Sequence, residues 1–139
     1  RMDRHSASAL ALGRQLEGAP GVAGVAYPGL PSHPQSAIAQ RELRRGGGML
    51  AMELSSRAAA AAFIDGLSIP PVTATLGSVV TYAVHPPTAT HRQLTDEQLA
   101  EVGISPGMVR ISVGLEDVDD LLADMAGALM AAMEAGLGA

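Results

Sequence analysis

Lysine is missing from this sequence: all nine basic side chains, from Arg1 to Arg110, are arginines. A guanidinium stays protonated at any working pH, so no side-chain amine is present to act as a nucleophile or to shuttle protons. Cysteine is missing too, which excludes disulfides and thiolate zinc sites and fits a cytoplasmic setting. There is no tryptophan, and the aromatic residues are Tyr27, Phe63 and Tyr82 alone. With 47% of residues hydrophobic, the core must therefore be built from Ala, Val, Leu, Ile and Met. The formal charge of −5 argues against a nucleic-acid partner. Arg41, Arg44 and Arg45 form one short basic cluster, which on a helix would share a solvated face. No run has the length and purity of a membrane span: the most apolar one, Leu121 to Met133, is short and interrupted by Asp124. The first residues also lack the unbroken apolar core of a signal peptide.

What is present is a steady alternation of helical and strand patterns, in a length of 139 residues suited to a single domain, 1–139. Met2, His5, Ala9, Leu12 and Leu16 share one helical stripe. No capping residue precedes it, so the chain is expected to start partway along an element. Val22 to Tyr27 reads as a strand, and a polar helix follows His33-Pro34 to about Arg45, stopped by Gly46, Gly47 and Gly48. Met49 to Leu54 alternates clearly, and Ser55 or Ser56 can cap a helix presenting Ala59, Phe63 and Leu67. Further strands are expected near Thr73 to Leu76 and from Val79 to Val84. Thr95 and Gln98 have capping-box spacing for a helix over Asp96 to Val102. The last helix carries Val118, Leu121, Leu122, Met125, Leu129 and Ala132 on one stripe, and acidic residues crowd its first turn. This order predicts an α/β two-layer sandwich: a mostly antiparallel sheet of four or five strands with helices on one face.

The segment Gly107 to Asp120 places an arginine in a strand. Val109, Ile111 and Val113 suit a buried face, and Arg110 then points the other way from a rigid element. A guanidinium held so can grip a carboxylate through two parallel hydrogen bonds. Spacing alone equally describes a charge solvated on an open sheet face. Other candidates read as structure. The four histidines have neither metal-motif spacing nor a cysteine partner, and no metal site is expected. The Gly46–Gly48 run lacks the lysine and following helix of a phosphate loop. Met125, Met130 and Met133 read as core filler, and no hydrolase triad has distinguishing context.

Several stretches, in one consistent order, carry more than their periodicity. RMDRHSASALAL (Arg1 to Leu12), VAYPGLPSHP (Val25 to Pro34), GGGMLAMEL (Gly46 to Leu54), ATLGSVVTYAVHP (Ala74 to Pro86), HPPTATH (His85 to His91) and GMVRISVGLED (Gly107 to Asp117) span nearly the whole chain. Together they resemble the end of the pyridoxal-phosphate enzymes of cysteine and methionine metabolism. That family includes cystathionine gamma-synthase, cystathionine lyases, methionine gamma-lyase and the homoserine-ester sulfhydrylases. The resemblance implies the small carboxy-terminal, substrate-binding domain of a fold-type I enzyme. A larger amino-terminal domain would bind pyridoxal 5'-phosphate, and the reaction would be γ-elimination or replacement on a sulfur amino acid or homoserine ester. That chemistry requires a lysine, so a chain without one is expected to be inactive alone.

The resemblance also assigns roles. Arg110 stands where the family's arginine binds the substrate α-carboxylate, and Thr75 stands in TLG where relatives commonly have serine beside that carboxylate. Val80 stands where many synthases and lyases carry glutamate, which turns the expected substrate away from cystathionine towards simple thioethers or homoserine esters. The family also implies a homotetramer for the intact enzyme. The rival expectation is a stand-alone, non-catalytic α/β module that binds small carboxylates or mediates assembly.

Overall fold

The computed structural model describes residues 1–137. Its elements follow in the order α1 (Met2–Leu16), β1 (Val22–Ala26), α2 (Ser36–Glu42), β2 (Met49–Leu54), α3 (Arg57–Gly66), β3 (Tyr82–Val84), α4 (Asp96–Glu101), β4 (Met108–Ser112) and α5 (Val118–Leu137). A 3-10 turn, Pro86–Thr88, follows β3. The four strands make one sheet in the order β1-β2-β4-β3, every neighbouring pair antiparallel. This is the expected α/β sandwich, with four strands among the described residues, within the four or five expected.

The register shows which face is the core. Leu50 stands opposite Ile111, Met52 opposite Val109, and Ala83 also opposite Ile111. These residues are buried together with Ala9, Leu12 and Leu16 of α1, Ala59, Ala60 and Phe63 of α3, and Leu121, Met125 and Leu129 of α5. Strand side chains alternate between faces, so Ala51, Glu53, Met108, Arg110 and Ser112 project from the side away from those helices. The core is thus aliphatic apart from Phe63 and Tyr27, as the scarcity of aromatics requires. Met125 joins it, but Met130 and Met133 lie on the exposed side of α5, contrary to their reading as core filler. Met2 is likewise exposed.

Local signals explain most element ends. The Ser56 hydroxyl accepts the Ala59 N–H at 3.1 Å and starts α3. Thr95 and Gln98 form the reciprocal capping box of α4. Asp117 Oδ1 accepts the Asp119 N–H at 2.9 Å at the head of α5. The glycine run before β2 is a packing device. A Cβ on Gly46 would meet the Tyr27 hydroxyl at 2.6 Å, and one on Gly48 would meet His5 Cβ at 3.3 Å, while Gly47 has φ +79°.

The expected strand near Thr73 to Leu76 does not form. Only Val72 makes a bridge, a parallel one to Ala83, and the chain from Thr73 to Thr81 takes no regular structure. Pro70 and Pro71 supply no N–H to a ladder, and Gly77 at φ +69° turns the backbone. The strand expected from Val79 begins only at Tyr82, because the Val79 carbonyl and the Thr81 N–H are taken by Leu115 and Glu116. The polar helix after Pro34 is also shorter than expected, ending at Glu42.

Candidate functional site

Arg110 occupies the middle of β4, an interior strand bonded on both sides, with Ala51 of β2 and Val84 of β3 as its cross-strand partners. Its neighbours Val109 and Ile111 are fully buried and anchor the strand to the core. The arginine itself is half-buried on the opposite face. Among the described residues its guanidinium makes no hydrogen bond or ion pair with protein. Glu53, the only carboxylate on β2, lies diagonally across from it, but accepts the Ser105 hydroxyl instead. A rigid, part-desolvated cation with five unused N–H donors is suited to a planar carboxylate.

The entry to β4 is stiffened by His85, which is buried and bridges two segments. One ring nitrogen donates to the Pro106 carbonyl at 2.8 Å, and the other accepts from the Thr88 hydroxyl at 2.8 Å. The Leu54 N–H donates to the Gly107 carbonyl at 2.9 Å, and a Cβ on Gly107 would run into Leu54 backbone. Val84 is also buried, outside the main core. The His85–Pro106 contact thus ties the end of β3 to the segment that leads into β4.

Thr75 and Val80 lie in the irregular stretch before β3. Thr75 is half-buried and Val80 is 37% exposed. The structure places neither in hydrogen-bond contact with Arg110. It does tie their segment to the end of the arginine strand, through the Leu115 N–H to the Val79 carbonyl at 2.8 Å and through Thr81. Thr81 and Glu116 were not singled out in the sequence, because a threonine before a strand and a glutamate before a helix have ordinary local explanations.

The remaining buried polar groups are structural. His5 Nδ1 lies 2.7 Å from the Val113 carbonyl, which only accepts, so this nitrogen carries the proton. Its Nε2 and the Ser6 hydroxyl are buried without hydrogen-bond partners among the described residues. The Tyr27 hydroxyl lies 2.9 Å from the Gly47 carbonyl and 3.1 Å from the Ser6 carbonyl, and burial pushes its pKa up. No cluster of three or more metal-ligating side chains occurs among the described residues, and no helix among them is long and apolar enough to cross a membrane.

A family profile described as Cys/Met metabolism PLP-dependent enzyme matches residues 1–130. The chain belongs to that family. The L-methionine gamma-lyase of Pseudomonas deceptionensis is 46% identical over 94% of this chain and 33% of its own length. The O-succinylhomoserine sulfhydrylase of Pseudomonas aeruginosa is also 46% identical, over the same shares. The crystal structure of cystathionine gamma synthase from Xanthomonas oryzae pv. oryzae in complex with cystathionine superposes with a TM-score of 0.90 at 38% identity, over 97% of this chain and 35% of that one. The chain therefore spans about a third of the length of the relatives it matches.

The cofactor of this family is pyridoxal phosphate. The residues present here do not fit it. There is no lysine to hold its aldehyde. The one glycine-rich run is filled by Tyr27 and His5 rather than open as a phosphate cradle. The unpartnered His5 Nε2 and Ser6 hydroxyl sit in residues packed against the core. What the described residues do offer is an arginine on a rigid interior strand, unpaired among them.

Proposed function

We propose that this chain is the carboxy-terminal, substrate-binding domain of a pyridoxal-phosphate-dependent enzyme of sulfur amino-acid metabolism. In this reading Arg110 holds the α-carboxylate of the amino-acid substrate, and a separate domain supplies the cofactor and its lysine. The observation that carries the reading is the half-buried guanidinium of Arg110, fixed on an interior strand and unpaired among the described residues. A two-point grip on the carboxylate fixes the angle at which the rest of the substrate is presented, and orientation of this kind is a large part of catalysis. Thr75, in the stretch tied to the end of that strand, is proposed to add its hydroxyl to the anion site.

Val80 faces the choice of substrate. It carries no charge for a distal amine, which favours thioethers and homoserine esters over cystathionine. Equal identity to a gamma-lyase and to a sulfhydrylase leaves elimination and replacement on the same footing. The intact enzyme is proposed to be a homotetramer, and the isolated chain to be inactive.

The test is Arg110→Ala in the full-length protein. Removing one partner of a desolvated charge pair costs about 2–5 kcal/mol, so kcat/KM should fall by a factor of about 30 or more, with bound cofactor retained. Unchanged KM and kcat would remove Arg110 from the site.

A further inference from the structure

Glu116 sits at the head of α5, where a negative charge is favourable, but that placement does not account for its contacts. Asp117 already caps the helix through the Asp119 N–H. Both carboxylate oxygens of Glu116 are instead spent on one residue. The Thr81 backbone N–H donates to Oε1 at 2.6 Å, and the Thr81 hydroxyl lies 2.7 Å from Oε2. The same hydroxyl oxygen accepts the Gly114 N–H at 2.7 Å, and Thr81 is fully buried. Space for this arrangement depends on a glycine: a Cβ on Gly114 would meet the Val79 carbonyl and Glu116 Oε2 at 2.5 Å. The clasp joins residues 79–81 to residues 114–116.

The two halves of the clasp belong to the two parts of the candidate site. Residues 114–116 continue directly from the strand that carries Arg110. Residues 79–81 end the irregular stretch that carries Thr75 and Val80. Among the described residues, Thr73 to Gly77 forms no hydrogen bond with the rest of the domain. Its other end is held by the Ala83 N–H to the Pro71 carbonyl at 3.2 Å and the Val72 bridge. The stretch is therefore suspended between two anchors, and the one next to Val80 is charge-assisted and the stronger in kind.

We infer that Glu116 is a positioning residue, whose carboxylate fixes the Thr75–Val80 stretch relative to the Arg110 strand and thereby sets the fit between carboxylate grip and substrate side chain. This rests on the reading of Arg110 given above.

The experiment uses the full-length protein with its cofactor bound. Glu116→Gln removes the charge and leaves at most neutral hydrogen bonds to Thr81, and Thr81→Val deletes the hydroxyl. Each variant is measured for KM and kcat with methionine and with O-succinylhomoserine, and cofactor absorbance reports the folded fraction. Both variants are expected to lose about tenfold or more in kcat/KM, chiefly through KM, and to change the ratio between the two substrates. Cofactor absorbance should be retained, and the double variant should lose little more than either single one. Thr81→Ser keeps both donors and should retain the wild-type KM. KM and substrate ratio unchanged in Thr81→Val, with or without a lower Tm, would overturn the inference, as would equal impairment in Thr81→Ser. Should Glu116→Gln fail to retain cofactor, the Thr81 pair decides by the same criteria. An impaired Arg110→Ala beside unaltered Glu116 and Thr81 variants would overturn this inference alone, whereas an unaltered Arg110→Ala would overturn the reading beneath it.

Discussion

Arg110 could be placed from sequence because its neighbours are unambiguous: Val109 and Ile111 must face the core, and the pleat then sends the arginine outward. Glu116 could not, because its partner Thr81 is 35 residues away and nothing in either neighbourhood announces the pairing. Tyr27 shows the same limit. Its ring is fully buried, but its hydroxyl contacts to Ser6 and Gly47 come from chain crossings that periodicity does not encode. Tyr27 also gives a pH test. Burial raises its pKa above the ordinary 10.0, so the folded state holds this proton more tightly than the unfolded one. The stability involved is complete below the unfolded value and is lost as pH climbs through the folded one. No lysine or cysteine adds a charge change of its own in that alkaline window. Urea melts across that window should show stability falling with pH in the wild type, and a shallower fall in Tyr27→Phe.

Among the elements, those with two independent signals formed as expected. Strand β2 combines alternation with a glycine boundary, and α4 combines a capping box with an acidic first turn. The stretch from Thr73 to Leu76 had only its β-branched and apolar composition. Its one large apolar side chain, Leu76, is 74% exposed, so no buried face was available to hold a strand in register. Composition without alternation was a poor guide there. Helix α4 makes a quantitative case. Thr95→Ala removes the hydroxyl from both the Gln98 N–H and Glu97, and should cost about 1 kcal/mol by chemical denaturation. Glu97 lies below the usual carboxyl range because of its own backbone N–H first and the Thr95 hydroxyl second. Its contribution is therefore present above the ordinary value and lost as pH falls through the lowered one. The difference between wild type and Thr95→Ala should accordingly narrow in acid.

For the whole molecule, the missing lysine and the share of relatives covered, about a third, converge on one division of labour. On the proposed reading, this chain orients the substrate, and the cofactor's covalent attachment belongs elsewhere. Borohydride treatment of the isolated chain with pyridoxal phosphate should leave no side chain modified by peptide mapping; a side-chain adduct would break that division. The α/β sandwich and the Arg110 strand were legible because both rest on local patterns. The irregular stretch and its clasp were not, since they depend on contacts between distant segments. The most direct measurement of the account compares a methionine-type substrate with its α-carboxamide, in the full-length wild type and in Arg110→Ala. The wild type should favour the carboxylate by a factor of about 30 or more in kcat/KM, and Arg110→Ala should lose most of that preference. If Arg110→Ala keeps the full preference, the carboxylate is held by another group and the central assignment is wrong.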